Sequence, residues 1–158
     1  MPSAPHKSIT EEEYLALDRQ APTKSEYAAA EMFLMAGGTS NHSRLQGDLY
    51  TELNLRLSGG PCEAFGSDMR VKVEPARMYA YPDISVVCGT PLFLDAIEDT
   101  LLNPVVIVDV LSPSTEAYDR GKKCQNYQSI RSLQEFVLVS QEQVRVERFL
   151  RAQSGTWT

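Results

Sequence analysis

No apolar run in this chain approaches the ~18–20 residues that a membrane span requires, so no helical span is expected. The opening segment, Met1 to Lys7, also lacks the apolar core of a signal peptide. Cysteine is scarce: Cys62, Cys88 and Cys124 are odd in number, widely spaced and form no CxxC. Neither a disulfide framework nor a zinc site is therefore expected, and a reducing cytoplasm fits best. Basic residues are in short supply too, 15 against 21 acids, giving a net charge of −6. Nucleic-acid binders usually carry a basic surface because phosphate contacts supply most of their affinity. The deficit counts against a broad basic face and leaves room only for a local patch.

What is present is an ordinary globular composition, 42% hydrophobic and 23% charged, which argues against disorder. At 158 residues the chain suits a single domain, with no internal repeat and no linker-like stretch. Residues 1–8 are expected to be disordered. Thr10 and Glu13 stand in capping-box register, with Ile9 and Tyr14 as a hydrophobic staple, so a helix is predicted from Thr10 to Asp18. Its glutamates belong to a helix start rather than a ligand set. Ser25 to Met35 is ambiguous, since three alanines favour helix while Gly37-Gly38 favours a hairpin; a strand or hairpin is the reading adopted. The next helix begins at Ser40 or Asn41, repeats Leu45, Leu49, Leu53 and Leu57 on one face, and stops at Ser58-Gly59-Gly60-Pro61.

A half-exposed strand is predicted over residues 63–73, turning back into a hairpin with a strand from Tyr81 to Cys88. Residues 89–103 read as an acidic loop, and Pro104 to Leu111 as a strand covered on both faces. A helix follows, from Thr115 or Asp119 to Ile130, and then a last hairpin, residues 135–140 with 143–151. The order predicts a mixed α/β protein with a central sheet.

Two of these strands carry an acid where a core should be apolar. In Tyr81-Pro82-Asp83-Ile84 the acid is Asp83, and in Val105-Val106-Ile107-Val108-Asp109-Val110-Leu111 it is Asp109. A lone buried carboxylate is costly unless it pairs or holds a cation. Asp109 shares a strand face with Val105, Ile107 and Leu111 and points toward the crevice where α/β proteins bind ligands. Each acid also has a plain alternative: Asp109 capping the Ser112-Pro113-Ser114 turn, Asp83 bonding its own backbone. Together they suit Mg²⁺, which is typically held by one or two carboxylates plus waters and phosphate oxygens. Asp119, Lys123 and Tyr127 share a helix face, so Lys123 could orient water or offset developing charge at a phosphate, or merely pair with Asp119. Lys122 points to solvent. Glu26 and His42 are weaker candidates, His42 standing in the first turn of the leucine helix. Asp68 is expected to pair with a base.

Further segments fit a known pattern: Ser40-Asn41-His42-Ser43, Ser67-Asp68-Met69-Arg70-Val71, Asp109-Val110-Leu111-Ser112-Pro113-Ser114-Thr115, and Tyr118-Asp119-Arg120-Gly121-Lys122-Lys123. With Glu26, Tyr81-Pro82-Asp83 and the stretch from Tyr127 through Ser132-Leu133-Gln134-Glu135, they make the chain resemble the bacterial putative restriction endonuclease family of the PD-(D/E)XK superfamily. The resemblance runs from Ile9 to the C-terminus. It implies a restriction-endonuclease-like αβββαβ core, a central mixed sheet flanked by helices. It also implies cleavage of DNA with Mg²⁺, or Mn²⁺ in its place. Asp83 and Asp109 take the metal-binding places and Lys123 the lysine's, supplied from the next helix because Leu111 stands where the strand lysine would be. Glu26 matches an accessory acid.

Asp109 departs from the Glu usual at its position, one methylene shorter. Relatives continue for further strands past Trp157-Thr158, so an exposed strand edge and a homodimer are also expected. Two rivals stay open: a catalytically silent dimeric module on the same fold, and a phosphoesterase acting on a small nucleotide.

Overall fold

The computed structural model describes residues 8–158; the disorder expected over residues 1–8 lies, Ser8 aside, outside the described residues. Thr10 starts the first helix as its spacing predicts, its Oγ1 accepting from the Glu13 N–H at 3.1 Å, and α1 spans Glu11–Gln20. The ambiguous alanine stretch is a hairpin, with β1 (Ser25–Ala28) and β2 (Glu31–Leu34) paired antiparallel. Its two-residue turn places Ala29 and Ala30 at φ 51° and 62°, a conformation that favours Asn or Gly. Pairing thus overrides alanine's helix propensity. Helix α2 spans Ser40–Leu57, and its cap is Thr39, one residue before the expected position, with Oγ1 accepting from His42 N–H.

Six strands follow: β3 (Cys62–Phe65), β4 (Arg70–Val73), β5 (Met78–Ala80), β6 (Ile84–Cys88), β7 (Thr100–Leu101) and β8 (Val106–Val110). Helices α3 (Glu116–Tyr118) and α4 (Cys124–Gln128) are joined by a π-helical turn, Asp119–Lys123. Strands β9 (Glu135–Val139) and β10 (Val146–Leu150) form the last hairpin.

The mixed α/β class is as expected, but there are two five-stranded sheets instead of one central sheet. Their orders are β2-β1-β5-β4-β7 and β10-β9-β8-β6-β3. Residues 63–73, read as one strand, break at the Gly66–Met69 turn and send β3 and β4 to different sheets. The strand beginning at Tyr81 was expected to close a hairpin with that segment. Instead β4 closes on β5, and β6 pairs with β3 and β8 in the other sheet. The chain therefore changes sheets across Tyr81-Pro82-Asp83. No local pattern marks such a switch.

The largest core cluster draws Val71, Met78 and Leu101 from one sheet, Ile107, Phe136 and Leu138 from the other, and Tyr127 from α4. The far face of the second sheet packs Val86, Val108 and Val110 under the Leu45, Leu49, Leu53 and Leu57 stripe of α2. Strand β8 therefore alternates as predicted: even residues face α2, odd ones the inter-sheet core. A third cluster sets Tyr14 and Leu15 of α1 on Tyr27 and Tyr79. The expectation of uncrosslinked cysteines is corrected: Cys62 and Cys88, opposite each other on β3 and β6, form a disulfide, and Cys124 is free and buried. They are 26 positions apart in the sequence, and only the strand register brings the two together.

Candidate active site

The sheet switch delivers the first acid. Asp83 stands just before β6, and Ile84 pairs with Val108, so Asp83 falls beside Asp109 on β8. The two strands lock the carboxylates crosswise. Val110 N–H donates to Asp83 Oδ2 at 2.7 Å, and Asp83 N–H donates to Asp109 Oδ1 at 3.2 Å. That crossed pair is also what joins the ends of β6 and β8 beyond the last paired residues.

Lys123 comes from the π-helical turn and is 6% exposed, so the solvated alternative for this lysine is not what the structure holds. Its Nζ donates to Glu26 Oε1 and Oε2 at 3.3 and 3.2 Å, and lies 3.8 Å from Asp119 and 4.0 Å from Asp109 Oδ2. Glu26 in turn accepts the Tyr81 N–H at 2.8 Å through Oε2. His42, from the first turn of α2, reaches Asp83 Oδ2 at 3.3 Å with Nε2. Gly38 makes room for that ring, since a Cβ there would come within 3.1 Å of Nδ1. All five candidate residues thus meet in one place. Lys122 faces solvent and Asp68 pairs with Lys24, as expected.

The electrostatics are unbalanced. Three carboxyl groups, Glu26, Asp109 and Asp119, lie within 4.0 Å of one buried ammonium, and a fourth, Asp83, stands beside Asp109 and against His42. Burial pushes the Asp109 carboxyl up to about 8, with the charges of Asp83 and Asp119 adding to the shift against the pull of Lys123. Burial also raises Asp83, opposed by the Val110 amide and His42, and raises Asp119. For Lys123 burial alone would favour the neutral amine. The surrounding Asp109, Glu26 and Asp119 outweigh it and hold the ammonium charged. Asp109 Oδ2 is buried and accepts no hydrogen bond, and the Tyr127 hydroxyl nearby on α4 is likewise unpartnered.

An orphaned carboxylate oxygen in a cluster rich in negative charge suits a divalent cation. Asp83 and Asp109 are the residues that fit it. Among the described residues no group of three or more His, Cys, Asp or Glu side chains is arranged to hold a metal. Two carboxylates match an ion that keeps most of its waters and takes the rest of its shell from a substrate phosphate.

Sequence reasoning missed the layer beneath. Asp18, Arg70 and Tyr81 are buried together behind the hairpin, with Arg70 Nη2 on Asp18 Oδ2 at 2.7 Å and the Tyr81 hydroxyl on the same oxygen. A lone Asp near a helix end and an Arg on an alternating strand gave no signal of each other.

Comparisons with known proteins bear on the family and the fold. The chain matches the family Uma2, described as "Putative restriction endonuclease", over residues 11–158. It is 36% identical over 156 residues to the uncharacterized protein slr1290 of Synechocystis sp. (strain ATCC 27184 / PCC 6803 / Kazusa), covering 99% of this chain and 81% of that one. A second uncharacterized Synechocystis protein, sll1609, is 36% identical over 151 residues, covering 96% and 85%. The fold is shared with a crystal structure of a putative nuclease belonging to DUF820 from Anabaena variabilis ATCC 29413. That match has a TM-score of 0.71 at 20% identity and covers 89% of this chain and 84% of that one. Family and fold are thus both nuclease-like, and the chain belongs to the Uma2 putative restriction endonuclease family.

Proposed function

We propose that this protein is a Mg²⁺-dependent DNA endonuclease, with Mn²⁺ able to replace Mg²⁺. The observation that carries the reading is the buried, unpartnered Asp109 Oδ2 beside Asp83 and within 4.0 Å of Lys123 Nζ. Asp83 and Asp109 would hold the cation, which when bound would polarise the scissile phosphate and make a coordinated water more acidic. Lys123, kept charged by its neighbours, offsets the negative charge that develops on the phosphate. Glu26 fixes the direction of that ammonium through its two oxygens. His42 orients Asp83 and stands at the helix start, where it can hydrogen-bond a water or a phosphate oxygen. The shorter Asp109 side chain lies beside Asp83 through the antiparallel β6–β8 register, its Oδ1 accepting the Asp83 N–H.

DNA is the partner this reading implies, and the acidic net charge confines its contacts to the neighbourhood of the site. A second copy of the chain is a further partner. Strand β10 is the outer strand of its sheet; Thr158 of the same chain already pairs its Leu150 end, and the Val146 end is the part of the edge left to pair with another chain. No helix of the described residues is long and apolar enough to cross a membrane. The reading puts the protein in the cytoplasm, a compartment where a disulfide such as Cys62–Cys88 is uncommon.

Nicking of supercoiled plasmid tests the proposal. Wild type is expected to relax the plasmid with Mg²⁺ or Mn²⁺ and not with EDTA, and Asp83→Ala to be inactive. Equal cleavage by Asp83→Ala, or none by wild type under any cation, contradicts it.

A further inference from the structure

One buried network outside the cluster reaches the backbone that carries it. Asp18, at the end of α1, accepts the Ser25 N–H at 2.8 Å through Oδ1. Through Oδ2 it accepts from Arg70 Nη2 and from the Tyr81 hydroxyl. Tyr14 closes the hub, its hydroxyl donating to Ser25 O at 2.6 Å. The Arg70 guanidinium lies over the Tyr81 ring, 5.3 Å from its centroid, and its other end meets Thr100 Oγ1 at 2.8 Å and Asp99 at 3.2 Å. Asp18 and Arg70 side chains are only 1% and 3% exposed.

Two of the residues that Asp18 holds lie one and two positions before a functional one. Ser25 precedes Glu26, and Tyr81-Pro82 precedes Asp83. Tyr81 is bound twice: its hydroxyl enters the Asp18–Arg70 pair, and its main-chain N–H holds Glu26 Oε2. Glu26 then holds the Lys123 ammonium. A continuous chain of short contacts therefore runs from a buried ion pair to the residue placed to stabilise the reacting phosphate.

We propose that Tyr81, anchored by Asp18 and Arg70, is a positioning residue that sets Glu26, and through it Lys123, for the chemical step. This rests on the nuclease reading of the site. The physical reason is that a carboxylate and an ammonium on flexible stems lose little energy by rotating apart unless something stiff holds one of them. Pro82 stiffens the backbone after Tyr81, and the hydroxyl fixes the ring before it. Removing the hydroxyl leaves the shape of the core intact and frees the peptide that orients Glu26.

The test compares Tyr81→Phe with Tyr79→Phe. Tyr79 is also buried, and its hydroxyl bonds Glu11 at 3.0 Å, away from the cluster. Each variant loses one hydroxyl, so a purely structural effect lowers Tm in both and changes turnover in neither. Tyr81→Phe is expected to lower kcat for plasmid nicking about 10-fold with KM unchanged, and to speed amide exchange at position 81; Tyr79→Phe is expected to do neither. Wild-type kcat and wild-type amide protection at position 81 in Tyr81→Phe would overturn the inference, as would an equal loss of kcat in Tyr79→Phe. If wild type itself does not nick DNA, the nuclease reading fails, and amide exchange at position 81 alone then decides whether Tyr81 positions Glu26.

Discussion

Two buried charge clusters lie on either side of Tyr81, and they are built to opposite rules. Around Arg70 the charges come close to matching, two guanidiniums to three carboxylates: Asp18 and Asp99 meet its two ends, Arg19 binds Asp99 and Asp95, and Thr100 fills a remaining donor. Arg70 Nε alone lacks a partner there. Around Lys123 the charges do not match, with three carboxyl groups to one ammonium, Asp83 close by against His42, and Asp109 Oδ2 orphaned. The first arrangement holds α1, β4 and β5–β6 together. The second is poorly stabilised by the protein's own groups, which is the usual mark of a functional site awaiting a ligand. A balanced cluster should therefore matter to stability and an unbalanced one to activity.

The largest effect is expected where the balanced cluster is broken. Arg70→Met leaves Asp18 buried without its cation and should cost about 3–5 kcal/mol, read as a drop in the urea midpoint. In the unbalanced cluster, Lys123→Ala should lower nicking by ~10²–10³, a barrier increase of about 2.7–4 kcal/mol, measured per folded molecule. Asp109→Asn sharpens the contrast. It should abolish cleavage while leaving the urea midpoint in metal-free buffer no lower than wild type, because it relieves crowding among buried acids. A lower midpoint would mean that Asp109 belongs to the scaffold.

The balanced side also sets an acid limit. The Arg19 guanidinium beside Asp99 holds that carboxyl below the usual carboxylate range despite its partial burial, with Thr100 and Arg70 adding to the effect. A depressed folded pKa means the unfolded chain takes up the proton first. The stabilisation is thus present above the ordinary carboxylate pKa and lost as pH falls from there toward the folded value. Asp99→Asn should flatten the acid limb of a Tm-against-pH curve. The smallest effect belongs to neither cluster. Ala30→Gly relieves a positive φ in the β1–β2 turn and should raise stability by about 0.5–1 kcal/mol, seen in the urea midpoint, with activity unchanged.

The unbalanced cluster was legible in the sequence and the balanced one was not. Asp83 and Asp109 stand out as acids inside apolar strands, and Lys123 follows at a helical distance from Asp119, so each carried a local signal. Glu26 and His42 entered with them. Asp18 and Arg70 sit in patterns where a polar residue is ordinary, and their meeting depends on α1 crossing β4, which no periodicity encodes. The same limit explains the second sheet. Short strands of two to five residues announce their existence but not their neighbours, and the jump at Tyr81-Pro82-Asp83 is a long-range event. It also explains the cysteines, whose pairing follows from the β3–β6 register alone.

The central claim is that the unmatched carboxylates form a cation site, and Mn²⁺ binding followed by electron paramagnetic resonance tests it without reference to any substrate. One Mn²⁺ per chain is predicted for wild type, displaced by Mg²⁺ and lost in both Asp83→Ala and Asp109→Ala. Undiminished Mn²⁺ binding in those two variants, or none in wild type, would contradict the account.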